Sequence, residues 1–323
     1  MESKNYGYEK LIEKGNKKLD AVSTISLSGM SFGLLSSIYE PSTFCSLGNP
    51  VLLGTSLACE IMKYGNMRFL KKVDNIQKST LYQECRCLYI DFVKDIASFF
   101  KQSGFDDGLS AYALYIYCLT KGYFSLDLSY KYETNGFGFD FFSEIFGSTV
   151  TTGRGCCRHN ASLFTDVVNE MGGLAANFCV SKSRFRLKPN HMVTGIIHDD
   201  KKLIVEPTIL NPRVHFVDRA YFFDDDKLKN NKVVAHSFEN RKRVYKLDSY
   251  ADYFINDLRV NALLNYPSFQ EDDIFELYYD NYLKFEGLCN KRKDDILCFA
   301  HDLQPKVKVL AKTNRLVIPK TIL

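Results

Sequence analysis

Residues 157–206 constrain the fold more than any other stretch, because their hydrophobic period changes from helical to extended. Ala161, Phe164, Val167, Val168 and Met171 recur at helical spacing, and Gly172-Gly173 supplies a stop. Leu174–Val180 then reads as a strand. Met192–Ile197 and Leu203–Val205 are two short apolar runs around the polar His198-Asp199-Asp200-Lys201-Lys202, the pattern of a β-hairpin. A two-residue loop at Asp199-Asp200 puts His191 and Glu206 on one face of that hairpin, opposite or one diagonal step apart, within about 8 Å between backbones. The two aspartates themselves read as turn formers.

The same helix begins at a cysteine. Gly153-Arg154-Gly155 is a glycine-rich turn, and Cys157 falls in the first helical turn after it. Unpaired backbone N–H groups and the positive end of the helix dipole favour a thiolate there, and Arg158 pushes the same way. Cys156, one residue earlier, reads as a packing residue. A helix-mouth cysteine, a histidine at a strand start and an acid on the paired strand form the thiol, base and orienter of a cysteine acyl-transfer site. His159 points away from Cys157 on a helix, and His198, His215, His236 and His301 have no comparable arrangement.

Gly155, Cys157, Arg158 and Ala161 resemble the Gly-x-Cys-Arg-x-x-Ala signature at the nucleophile of the transglutaminase-like superfamily. Asn190–Ile196 is similar to that family's histidine strand, and Val205-Glu206-Pro207-Thr208 to its Asp-Pro-Thr element with Glu in place of Asp. The resemblance implies an α+β fold with a papain-like core, a nucleophile helix packed on an antiparallel sheet, and helical N- and C-terminal additions. It implies Cys157 as nucleophile, His191 as proton acceptor and donor, and Glu206 as the group orienting the imidazole, with no cofactor and no metal. The backbone N–H of Cys157 is the first donor for the oxyanion. The substrate is a protein or peptide amide, and the acyl-enzyme passes to water or to an amine. No calcium loop of the Asp-x-Asp-x-Asp-Gly kind accompanies it. An arylamine N-acetyltransferase is a second reading, which Val205–Thr208 and the long segment before Cys157 disfavour. A third is a non-catalytic interaction module on the same fold.

The rest of the chain bounds these readings. The 323 residues are 46% hydrophobic and 25% charged, enough for a sizeable core. A net charge of +4 without a long basic run implies no nucleic acid. Ten cysteines without regular spacing point to a reducing compartment, hence a cytoplasmic protein. Cys85 and Cys87 read as small core residues rather than a metal pair.

No secretory signal opens the chain, since residues 1–20 are charged throughout. Ala21–Tyr39 and Pro41–Cys59 carry no charge, Glu40 lies between them, and Lys17, Lys18, Arg68, Lys71 and Lys72 flank the pair. Residues 21–59 therefore read either as a membrane hairpin, with the catalytic domain on the cytoplasmic side, or as a packed soluble hairpin diluted by serine and threonine.

Three regions are expected: an N-terminal 1–75, a catalytic 76–247 and a helical 248–323. Leu81–Phe100 is the strongest helical pattern, and Asp106-Asp107-Gly108 opens a second helix over Leu109–Lys121. Residues 123–152 are rich in Phe and Gly and read as a cleft wall or a packed loop. Lys182, Arg184, Arg186 and Lys188 make a basic loop, solvated or facing an acidic substrate. Lys232–His236 and Arg243–Lys246 are short strands, and Ser249–Leu264 is helical. Ser268 and Glu271 have capping-box spacing before another helix. A short helix follows from Asp294, then a basic tail from Val307.

Overall fold

The computed structural model of the chain describes residues 16–25, 54–65, 67–68, 71, 75, 78–121, 157–181, 191–207, 221–223, 232–235, 243–247 and 257–317. The Phe- and Gly-rich stretch 123–152, the glycine-rich turn 153–156 and the basic loop 182–190 lie outside them. The chain divides into two compact units, Met1–Ser79 and Thr80–Leu323.

In the first unit, residues 16–25 and 54–65 are helical. Ser23 and Ser56 share a hydrogen bond of 2.8 Å between their hydroxyls, and Lys63 pairs with Asp20. Those two ties run in opposite chain directions, so the helices are antiparallel.

The second unit is a mixed α+β structure. Its described helices are α1 (Thr80–Gln102), α2 (Gly108–Thr120), α3 (Cys157–Glu170), α4 (Asp257–Leu264), α5 (Glu271–Lys291) and α6 (Lys293–Val317). Its strands are β1 (Ala175–Ser181), β2 (His191–His198), β3 (Lys201–Val205), β4 (Tyr221–Phe222), β5 (Lys232–Ala235) and β6 (Arg243–Leu247). They form one antiparallel sheet in the order β3-β2-β1-β6-β5-β4.

Strand alternation divides the β1–β3 half into two buried faces. Ala176, Phe178, Val193 and Ile204 share one face, where they pack with Phe223 and with Val260 and Leu263 of α4. Position 195 faces the same cluster and is a glycine, where a Cβ would come within 2.6 Å of the Phe178 ring. Asn177, Thr194 and Ile196 share the other face, which α2 and α3 cover. Residues 111–119 of α2 are buried on every side, as expected of a helix apolar all round.

Helix α1 buries Cys85, Tyr89, Phe92, Val93, Ile96 and Phe100 of the apolar stripe its period predicts, whereas Leu88, expected in the same stripe, is exposed. Phe99 stacks on Phe299 of α6 with ring centroids 3.9 Å apart.

Three expectations are corrected. Cys87 is exposed, so only Cys85 of that pair is a core residue. Helix α5 begins at Glu271 with Gln270 as its N-cap and no side-chain cap. Ser268 bridges instead to Lys202 of β3, and the Lys202 N–H donates to the Pro267 carbonyl at 2.8 Å, which takes Ser268 out of the helix entry. Helix α6 is long, reaching Val317 through Pro305. Ile296, Ala300, Leu303 and Leu310 keep its inner stripe buried past the proline, which sits on the exposed side.

Candidate functional site

Helix α3 is held on the sheet by apolar packing and by a buried polar network. Ala161, Leu163, Phe164 and Val167 are fully buried. Phe164 sits between Tyr112 and Tyr115 of α2, with ring centroids 5.7 and 5.3 Å away. The Tyr115 hydroxyl donates to Asn160 Oδ1 at 2.9 Å, and the Tyr89 hydroxyl of α1 donates to Asp166 Oδ2 at 2.8 Å.

Asn177 of β1 is the hub beneath the helix. Its Oδ1 accepts from the hydroxyls of Thr165 at 2.5 Å and Thr194 at 3.2 Å, while its Nδ2 donates to Ser162 Oγ at 3.4 Å. Every member is buried, so each hydrogen bond replaces water that the packed helix excludes.

The helix ends where the glycine pair predicts. Gly172 has φ +92°, a conformation glycine adopts freely, and the Gly173 N–H donates to the Val168 carbonyl at 3.0 Å. The Asn169 side chain then closes a two-way bridge to Ala175, donating to its carbonyl at 3.1 Å and accepting from its N–H at 3.0 Å.

These contacts fix the direction of α3. Asn169, near its C-terminal end, binds the first residue of β1, and the Ala161 carbonyl lies 3.4 Å from the Thr194 hydroxyl of β2. Helix α3 is therefore antiparallel to β1 and runs in the sense of β2. Cys157 precedes Ala161 by about 6 Å of helix rise. His191 precedes Thr194 by about 10 Å of strand, so both elements start at the same end of the sheet.

The hairpin that supplies the other positions has the register its sequence predicts. Ile196 faces Leu203, His198 faces Lys201, and the loop is Asp199-Asp200. Both aspartates have positive φ, +46° and +54°, as a two-residue turn of the primed type requires. The ladder ends at Val205 opposite Thr194, and Glu206 follows it. Carrying the register on sets Glu206 level with Val193, two positions from His191. Glu206 is 2% exposed, and the Tyr112 hydroxyl donates to its backbone carbonyl at 2.9 Å.

The structure thus brings to one sheet end the first residue of α3, the first residue of β2 and the residue after β3. The side chains of Cys157 and His191 lie outside the described residues, as does Cys156. Among the described cysteines, burial pushes Cys85 up to about 12, and burial with help from Glu286 does the same to Cys289. Burial also holds Cys118 well above the ordinary thiol value. Among the described residues, no group of three or more His, Cys, Asp or Glu side chains is placed to hold a metal ion.

An acid–histidine pair lies at the turn end of the hairpin. His198 Nδ1 is 3.1 Å from Asp107 Oδ1, and Asp107 is the N-cap of α2, accepting from the N–H groups of Leu109 at 2.8 Å and Ser110 at 3.1 Å. The hydrogen bond to Asp107 raises the His198 pKa against the lowering effect of burial. Burial would raise Asp107, but hydrogen bonds from His198, Ser110 and Leu109 outweigh it and hold the carboxyl well below the usual range. The capping aspartate was visible in the sequence. Its histidine partner was not, because the two are far apart in the chain and joined by tertiary packing alone.

No protein-family model, curated protein or solved structure matches this chain.

Proposed function

We propose that this chain is a cysteine-dependent acyl-transfer enzyme with a papain-like, transglutaminase-like core, acting on a peptide or protein amide in the cytoplasm. Cys157 attacks the carbonyl as a thiolate, its backbone N–H meets the developing oxyanion, and His191 passes the proton to the leaving amine. Glu206 holds the imidazole in the productive tautomer. Water or a second amine then releases the acyl group, giving a peptidase or amidase in one case and a transglutaminase in the other. The observation supporting this reading is the convergence of the starts of α3 and β2 with the end of β3 at one end of the sheet.

Limiting iodoacetamide applied to the native chain between about pH 5 and about pH 9, with the adduct mapped, tests it. The enzyme reading expects Cys157 to react before every other cysteine, and well below about pH 8.5, where an ordinary thiol ionises. Preferential modification of Cys156, or no reaction below that pH, overturns it.

A second reading, a non-catalytic interaction module, is favoured by one feature of β2. Alternation sends Thr194 toward α3 but Val193 and Gly195 toward the cluster on the opposite face. A triad therefore requires the first residue of β2 to depart from that alternation.

A further inference from the structure

The antiparallel helices of the first unit bury small residues, Ser23, Ser56 and Cys59, and leave their larger apolar side chains exposed. Their seam is built from Ser23 against Ser56 and from Lys63 against Asp20. Leu57, Ile61 and Tyr64, one helical stripe, are instead 60%, 63% and 66% exposed. Val22 and Ile25 on the other helix are also exposed. A helix pair stabilised by burial in water shows the reverse distribution.

Charge is distributed along the pair as well. Lys18, Arg68 and Lys71 are exposed and lie at the end where the chain enters and leaves. Glu60, the exposed acid beside the stripe, is paired with Lys63 at 2.6 Å. The intervening residues 26–53 carry Glu40 as their only charge.

We propose that the outer face of this helix pair docks on an anionic lipid bilayer, with Leu57, Ile61 and Tyr64 against the acyl chains and Lys18, Arg68 and Lys71 at the headgroups. A polar seam is stable in that setting because hydrocarbon rewards internal hydrogen bonds and receives the apolar exterior. Cations at the open end find phosphate and carboxylate partners there. A protein partner would account for the apolar stripe but for neither the uncharged connection nor the basic open end. Among the described residues no helix is long and apolar enough to cross a membrane. The docked face lies in the bilayer surface, and its docking is independent of the acyl-transfer reading.

The chain contains no tryptophan, so Tyr64→Trp in the 323-residue chain gives a single reporter. Vesicles of phosphatidylcholine and phosphatidylserine, brominated on the acyl chains, are expected to shift its emission to the blue and quench it. Vesicles of phosphatidylcholine alone are expected to bind more weakly. Ile61→Asp in the same chain lowers the bound fraction about tenfold or more, since a charge on a lipid-facing position is costly. Leu258→Asp, at an exposed leucine of the second unit, leaves it unchanged. Unaltered emission with the mixed vesicles overturns the proposal, as does equal binding by Ile61→Asp. Self-association in solution without lipid that Ile61→Asp abolishes also overturns it, assigning the face to a second copy.

Discussion

The His198 ring lies 3.1 Å through Nδ1 from the carboxylate of Asp107, tying the tip of the β2–β3 hairpin to the N-terminus of α2. The ring also lies over Phe269, with centroids 6.4 Å apart, so the entry to α5 joins the same junction. Asp199 raises the histidine further, and Lys284 of α5 opposes it.

The pair makes stability depend on pH in a defined window. A raised histidine pKa gives stability that is complete below the ordinary 6.5 and is lost as pH rises through the folded value. A depressed aspartate pKa gives stability that is complete above the ordinary 3.8 and is lost as pH falls through the folded value. Both contributions are therefore full between those two ordinary values. Because the Asp107 side chain is 41% exposed, solvent screening limits the pair to about 0.5–1 kcal/mol. Urea unfolding of the wild type and His198→Gln should differ by that amount near pH 5.5, within the window set by the two ordinary values, and by less near pH 9. Asp107→Asn should keep the cap and remove the same pH-dependent part. A His198→Gln difference equal at both pH values would show the junction to be packing alone.

Gly195 allows β1, β2 and α4 to close on one another. A methyl group there would lie 2.6 Å from the Phe178 ring and 3.2 Å from Leu263, and both neighbours are buried. Gly195→Ala should cost about 1–3 kcal/mol by overpacking. Truncating the obstruction in Phe178→Leu/Gly195→Ala should recover part of that cost relative to Phe178→Leu alone. Thermal melting of the four proteins reads the coupling, and strict additivity would show that the ring moves aside freely.

The elements legible in the sequence are those whose signals are local. The stripe from Cys85 to Phe100, the cap at Asp107, the stop at Gly172 and the turn at Asp199-Asp200 each follow from residues a few positions apart. The hairpin register follows from the turn, because a two-residue loop leaves no choice of pairing. Long-range contacts were not legible. Ser268 has the spacing of a capping residue, yet its pairing with Lys202 of β3 decides its conformation. A short helix before a basic tail at Val307 is what the local pattern suggests, whereas burial of Leu303 and Leu310 carries α6 on to Val317. At the candidate site, Cys157, His191 and Glu206 were picked out from local pattern and resemblance. The contacts that aim α3, centred on Asn177, join a helix face to two strands and carry no local signature.

Asn177 consequently offers a way to test whether the placement of α3 governs its N-terminal cysteine. Asn177→Ala leaves the buried hydroxyls of Thr165 and Thr194 without their common acceptor and Ser162 without its donor. Unmade buried hydrogen bonds cost about 1–3 kcal/mol each, with partial relief where a hydroxyl finds another acceptor; Thr194 already lies 3.4 Å from the Ala161 carbonyl. A net loss of about 2–3 kcal/mol is expected in urea unfolding. Asn177→Asp should preserve acceptance from both threonines but bury a charge, so it should also destabilise. If Cys157 is activated by a fixed helix mouth, Asn177→Ala should slow its alkylation below about pH 8.5 under conditions where the protein remains folded. The buried Cys85, Cys118 and Cys289 should stay unreactive in that folded state. Unchanged Cys157 alkylation, together with the expected loss of stability, would separate the network's structural role from any role in the chemistry.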